Sequence, residues 1–240
     1  MRLDIYLSKI LNITRAKAQH MIDNSFVQVD GKIITKSAYD VDDTNDIKIL
    51  DTFKFSSLGG DKLYKALIDF NYDLNGKTCA DIGASNGGFT DCMLKNGAKK
   101  VYAVDVGECA FDETLKNDSR VIIKDRTNAR YIDKDTFGEL VDFACIDVSF
   151  ISLKLILPAV FNILKKGGDI IALIKPQFEA GSKHLSKKGI VTDQKVREQV
   201  CEDIKNFAIN LGLKYIDITT APTKPNKNIE FLIFLCKPIE

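Results

Sequence analysis

The stretch KTCADIGASNGGFT, Lys77 to Thr90, decides the fold. An apolar run from Thr78 to Ile82 carries Asp81, a loop of small residues follows with Gly83, Gly87 and Gly88, and an amphipathic segment starts at Phe89. That order is strand, glycine turn and helix start, the opening unit of a nucleotide-type α/β domain. Glycines suit the turn because the backbone must bend sharply and pass close to a ligand. Downstream, Val101 to Asp105 (VYAVD) is a second apolar run ending in a carboxylate. An acid at that point can accept hydrogen bonds from both ribose hydroxyls of an adenosine-type ligand.

The glycine spacing narrows the ligand. A dinucleotide fingerprint is G-x-G-x-x-G, whereas Gly83-Ala-Ser-Asn-Gly87-Gly88 lacks the middle glycine. Asp81 is awkward beside a pyrophosphate but suits the sulfonium and amine of S-adenosylmethionine. Gly83, Ser85, Gly87 and Phe89 are then the loop candidates, and Asp105 the ribose candidate. Asp125, after the apolar run Val121 to Ile123, falls where an adenine-edge contact belongs. Any other Rossmann-like strand-turn-helix remains the plain alternative.

Outward from this centre, strands and helices alternate: Phe143 to Asp147, a helix over Ser152 to Leu164 with Pro158 as kink or restart, and Asp169 to Ile174. Gly167-Gly168 are expected to end that helix. A long helix over Asp193 to Leu211 and strands at Tyr215 to Thr219 and Ile229 to Cys236 complete the pattern, with a polar turn at Thr223 to Asn228. The fold class expected is α/β, a Rossmann-like methyltransferase sheet, mostly parallel with one antiparallel strand. A small α+β domain precedes it. The expected divisions are a first domain over 1–50, a linker over 51–60 and a second domain over 61–240.

The amino-terminal part carries its own signals. Leu3, Tyr6, Leu7 and Ile10 have helical spacing. Thr14 can cap a second helix with Ala16, Ala18, Met21 and Ile22 as its apolar positions, closed by Asn24 in a left-handed conformation. Phe26 to Val29, the Asp30-Gly31 turn and Lys32 to Ile34 read as a hairpin, with Ile47 to Leu50 as a third strand.

Composition excludes several classes. The 240 residues are 45% hydrophobic and 28% charged with a net charge of +1, so any nucleic-acid surface must be local. No apolar run is long enough to span a bilayer, and MRLDIYLSK differs from a secretory signal. The six cysteines lack C-x-x-C pairs and neighbouring histidines, which argues for buried thiols in the cytoplasm and against a metal centre.

Four charged residues fall at the carboxyl edge of the expected sheet, where ligands bind. Asp147 and Lys175 end strands, Glu230 begins the last strand, and Lys62 begins the helix before the first. Two lysines with two carboxylates suit methylation of a ribose hydroxyl. An alcohol is a poor nucleophile and needs a positioned base or an electrostatic partner for the developing alkoxide.

ADIGASNGGFTDC, VYAVDVG, RTNARY, IDVSFISL, LIKPQFEAG and NIEFL, in this order, resemble TlyA-type proteins, the hemolysin A family. That resemblance implies an S-adenosylmethionine-dependent rRNA 2′-O-methyltransferase with an FtsJ-like fold, acting on cytidine in 16S and/or 23S rRNA of ribosomal subunits or ribosomes. It carries a Lys-Asp-Lys-Glu tetrad onto Lys62, Asp147, Lys175 and Glu230. It carries cofactor contacts onto Asp81, Gly83, Phe89, Asp105, Asp125 and Asp147. RLDIYLSK, TRAKAQHMID and FVQVDGK resemble the RNA-binding domain of ribosomal protein S-four, which implies RNA contacts at Arg2, Lys9, Arg15, Lys17 and Lys32. The family's Ser-Arg-Gly-Gly-Leu-Lys before the first tetrad lysine is here Ser57-Leu58-Gly59-Gly60-Asp61-Lys62. The competing readings are a non-catalytic RNA-binding or ribosome-assembly factor and, as the family name suggests, a hemolysin. Base amino-methylation wants an Asn/Asp-Pro-Pro-aromatic motif where this chain has Asp147-Val148-Ser149-Phe150.

Overall fold

The computed structural model describes residues 1–13, 15–50, 54–223 and 226–239, without the side chain of Ala16. The Thr14 cap, the start of the 51–60 linker and part of the polar turn near 224 lie outside these residues. The chain forms two compact units, Met1–Ser57 and Leu58–Glu240.

In the first unit, α1 (Leu3–Ile10) and α2 (Arg15–Asp23) pack with an antiparallel sheet in the order β2-β1-β3. Its strands are β1 (Val27–Val29), β2 (Lys32–Ile33) and β3 (Ile47–Ile49). Leu3 and Leu7 of α1, Ala18, Met21 and Ile22 of α2, and Val27 and Val29 of β1 form the core. The hairpin turn has positive φ at both Asp30 (48°) and Gly31 (78°), the type I′ geometry that matches strand twist.

The end of α2 differs from expectation. Ser25, not Asn24, takes the left-handed conformation, with φ 65°. The amide of Phe26 bonds to Met21 O and that of Ser25 to Ile22 O. This is a Schellman closure, whose left-handed residue stands one place beyond the cap. Asn24 instead donates its side-chain amide to His20 O at 2.6 Å.

One buried carboxylate ties the two helices together. Asp4 accepts from Arg2 Nε and Nη2 at 3.0 Å each, from Arg15 Nε at 2.9 Å and from Gln19 Nε2 at 2.8 Å. Two of the expected RNA-binding residues, Arg2 and Arg15, therefore bond this carboxylate, Arg15 across from the second helix, though their side chains keep 41% and 52% exposure. Lys9 and Lys32 are exposed and Lys17 is half-buried.

The second unit begins with α3 (Leu58–Asp69), so residues 58–60 are helical rather than linker. It continues with β4 (Thr78–Ile82), α4 (Gly88–Lys95), β5 (Lys100–Val104), α5 (Glu113–Lys116), β6 (Val121–Lys124), α6 (Lys134–Phe137) and β7 (Val141–Ile146). Then come α7 (Leu157–Ile163), β8 (Leu164–Ile174), α8 (Pro176–Glu179), α9 (Gln194–Asn210), β9 (Lys214–Thr220) and β10 (Phe231–Cys236). The sheet order is β6-β5-β4-β7-β8-β10-β9, with β10 antiparallel to both neighbours. The α/β expectation of a mostly parallel sheet with one reversed strand holds. Every residue of β4 is buried, as parallel strands covered on both faces require.

Several boundaries shift, and β10 begins at Phe231 instead of Ile229, so Glu230 precedes the last strand and does not begin it. The helix expected over Ser152 to Leu164 divides into a 3-10 turn at Leu153–Leu155 and α7, with Pro158 in the first turn where its missing N–H costs no bond. Gly167 and Gly168 lie within β8 instead of ending a helix. A Cβ on Gly168 would stand 2.9 Å from Lys165 O, so the backbone bend there needs glycine.

Replacing Asp4 by Asn is expected to destabilise the first unit by about 2 kcal/mol or more, since it weakens several charge-assisted bonds at a buried site. Arg2, with Gln19 and Arg15, holds the Asp4 carboxyl below its ordinary range against the opposing effect of burial. A depressed acid stabilises fully above its unfolded pKa, about 4, and loses that contribution as pH falls below it. Urea unfolding of both proteins at pH 7 and pH 3 checks this: the difference should shrink at the lower pH.

Candidate active site

The site is built beyond the carboxyl ends of the neighbouring strands β4 and β7, between which the strand order reverses. The glycine loop leaves β4 with positive φ at Gly83 (89°), Ser85 (48°) and Gly87 (81°). Gly83 must lack a side chain. A Cβ there would lie 2.5 Å from the main-chain oxygen of Asp147, which itself donates its amide to Ile82 O at 2.9 Å. Gly87 caps α4 from a left-handed conformation, and its Cβ would meet Leu115 at 2.3 Å and Phe111 at 3.0 Å.

The expected cofactor residues divide by environment. Asp105 follows β5 and accepts from the amides of Ser85 and Gly107, both at 2.8 Å. Each carboxylate oxygen still has acceptor capacity for ribose hydroxyls. Asp125 is exposed and accepts from the Cys109 amide at 2.7 Å. Phe89 is buried in α4. Asp81 is fully buried beneath the loop, accepting from Thr90 Oγ1 at 2.6 Å, with Cys145 Sγ at 3.5 Å. Burial, aided by the nearby Asp147 charge, pushes its carboxyl up to about 7 against the two hydrogen bonds.

The four charged candidates form two ion pairs. Lys175 Nζ lies 2.6 Å from Asp147 Oδ1, and its aligned hydrogen bond goes to Ser149 Oγ at 2.9 Å. Lys62 Nζ, on α3, donates to Glu230 Oε2 at 2.6 Å. The strand register joins the pairs: Phe231 is opposite Ile174, so Glu230 and Lys175 flank the same edge of β10 and β8. Gln177, two residues beyond Lys175, donates to Glu230 Oε1 at 3.1 Å, while its own Oε1 has no hydrogen-bond partner among the described residues.

An FtsJ-like methyltransferase model matches residues 55–237, three-quarters of the chain. The chain belongs to the FtsJ-like methyltransferase family. An S4 domain model matches residues 1–47. Hemolysin A of Brachyspira hyodysenteriae is 42% identical over 97% of this chain and 98% of its own length. The 16S/23S rRNA (cytidine-2′-O)-methyltransferase TlyA of Mycobacterium tuberculosis is 35% identical over 92% of this chain and 84% of its own. A solved structure named as a hemolysin, from Streptococcus thermophilus, superposes with a TM-score of 0.80 at 41% identity, covering 99% of this chain and 88% of that one.

In this FtsJ-like unit, sequence reasoning missed the residues around the tetrad. Phe150, three places beyond Asp147, is 90% exposed with φ 64°, an outlier for a bulky side chain. Its ring stands 5.0 Å from that of Phe178. Glu179 accepts from Ser152 Oγ at 2.6 Å and from the Leu153 amide at 2.8 Å. Their motifs, IDVSFISL and LIKPQFEAG, were visible in sequence, but their mutual contacts span 26 to 28 positions and leave no local signal. Among the described residues, no group of His, Cys, Asp and Glu could hold a metal ion, and no helix is long and apolar enough to cross a membrane.

Gly83→Ala should disable this site, because its Cβ meets backbone and φ is left-handed. The expected outcome is a lowered melting temperature and loss of ligand binding at the loop by about tenfold or more, read by thermal shift with S-adenosylhomocysteine. A variant that melts and binds like wild type would refute the close-approach argument.

Proposed function

We propose that this protein transfers a methyl group from S-adenosylmethionine to the ribose 2′-hydroxyl of a cytidine in 16S or 23S rRNA. The observation that carries the reading is the pair of lysine–carboxylate contacts, Lys175 with Asp147 and Lys62 with Glu230, at one edge of the sheet. The named activity of the 35%-identical relative agrees with it.

The loop residues fit the cofactor. Gly83, Ser85 and Gly87 give a backbone free of bulk, Asp105 retains acceptors for the ribose diol, and Asp125 stands at the adenine edge. Asp81 lies beneath, as a counter-charge that a cationic ligand draws into its ionised form. S-adenosylmethionine supplies an electrophilic methyl carbon on a sulfonium.

The remaining chemistry belongs to the chain. As the O–C bond forms and the methyl–sulfur bond breaks, the 2′-hydroxyl must lose its proton, and Lys175 Nζ, acting as a neutral amine, is the acceptor we assign. Asp147 and Ser149 fix its direction. Lys62, steered by Glu230, opposes the negative charge developing on the oxygen. Phe150 offers a base-sized aromatic surface beside Lys175, suited to stacking on the target cytosine. The first unit, through Lys9, Lys17, Lys32 and the exposed parts of Arg2 and Arg15, would hold rRNA by its phosphates.

Transfer of labelled methyl to unmodified ribosomal subunits tests the proposal. Wild type should yield ribose-methylated RNA, and Lys175→Ala should lose about a hundredfold or more, the scale of a proton-transfer group. Lys175→Arg should be equally poor, because the guanidinium stays protonated and cannot take the proton. RNA binding without methyl transfer to subunits or whole ribosomes would favour a binding factor instead.

Asp81 sets a pH dependence. Its raised pKa means that the unliganded fold loses stability as pH rises from about 4, the unfolded value, to about 7, while a cationic ligand gains affinity as pH approaches and passes 7. Affinity for S-adenosylmethionine should therefore increase from about pH 6 to pH 8, and Asp81→Asn should flatten the profile. Equilibrium dialysis across that range reads it directly.

A further inference from the structure

The loop after β7 carries Asp147 and Phe150, and α8 meets it at three successive places. Lys175, before α8, holds Asp147 and Ser149. Phe178 contacts the Phe150 ring at 5.0 Å. Glu179 closes the far end, each carboxylate oxygen taking one donor: Oε2 takes Ser152 Oγ and Oε1 the Leu153 amide. Phe150 needs such restraint, because it combines 90% exposure with a left-handed backbone. Its own burial cannot hold that conformation, and an unrestrained loop would relax.

We propose that Glu179 is a positioning residue for methyl transfer, latching the β7–α7 loop so that Phe150 is held outward beside Lys175 to receive the target base. This rests on the ribose-methylation reading above. Glu179 is not a member of the tetrad, and both of its carboxylate oxygens accept from the loop. Geometry rather than charge carries the role. A glutamine at 179 can accept from the Leu153 amide through Oε1 and donate to Ser152 Oγ through Nε2, so it preserves the latch. Alanine cannot. Ser152 Oγ also receives the Lys154 amide at 3.2 Å, which keeps the 3-10 turn capped when the latch is cut.

Two measurements on the full chain decide the matter. The sequence contains no tryptophan, so Phe150→Trp introduces a single tryptophan in the loop, excited selectively over the seven tyrosines. Adding Glu179→Ala should lower its anisotropy, and adding Glu179→Gln should leave it unchanged. Unchanged anisotropy in the alanine variant overturns the latch, whether or not the enzyme reading stands. In methyl transfer to ribosomal subunits, Glu179→Ala should lower kcat/KM about tenfold, with S-adenosylmethionine affinity within about twofold of wild type, and Glu179→Gln should restore it. In a Phe150→Ala background, Glu179→Ala should cost less than about twofold, since two residues acting through one contact are not additive. Multiplicative losses would overturn the assignment to Phe150. Ser152→Ala, which removes one of the two bonds, guards against an alanine variant that fails to fold. It should shift anisotropy and rate in the same direction by less, and no shift in either would count against the latch. Failure of wild type to methylate either subunit would sink the enzyme reading alone, because the anisotropy result stands without it.

Discussion

The reversed last strand is the constraint on which the site depends. In a fully parallel sheet every strand presents its carboxyl end to the ligand edge, so only strand ends and the loops after them can supply chemistry. Because β10 runs against β8, with Phe231 paired to Ile174, the residue that precedes β10 arrives at that same edge. Glu230 is that residue. The Ala221 amide bonds to its carbonyl at 2.9 Å, which fixes the turn into the strand from the other side. Lys62 then finds its carboxylate partner although 168 positions separate the two residues in the chain.

The tetrad pairs two lysines with two carboxylates, and its members are mostly covered: the Lys175 side chain is 11% exposed. Pairing is what makes this arrangement tolerable, since a lone charge taken from water is costly. Pairing also restrains rotamers, so that the lysines point in fixed directions before any substrate arrives. The nearest backbone contact carries the same logic to the cofactor side. Gly83 lets β4 approach the Asp147 carbonyl, so the glycine loop and one catalytic candidate are set by a single packing contact. A shift on one side moves the other.

Much of this was legible in sequence because it is local. The apolar run Thr78 to Ile82 coincides with β4, and the run ending in Asp147 with β7, because buried parallel strands must be continuously apolar. The acidic and basic residues at strand ends could be listed, since topology alone brings strand ends together. Less legible were features that depend on contacts across loops. Glu179 and Gln177 sit in a four-residue helix with no periodicity to read, and their partners lie 26 and 53 positions away. Phe150 reads as an ordinary apolar residue, and only its exposure and positive φ set it apart. The bonds of Arg2 and Arg15 to Asp4 were hidden too, because a charge count cannot tell a solvent-facing arginine from one that holds a buried carboxylate.

Asp81 shows where the fold accepts a cost for function. A carboxyl buried this completely, with one strong hydrogen bond from Thr90 and a weak thiol donor, is poorly stabilised as an anion. Apolar packing at that position would make a firmer junction between β4 and α4. What an acid offers there is responsiveness: its charge state is undecided near neutrality and is settled by whatever stands above the loop. A cation above it favours the anion, and loss of that cation lets the group reprotonate. The same carboxyl feels Asp147, so charge in the lysine–carboxylate cluster and charge above the glycine loop are coupled through the buried acid.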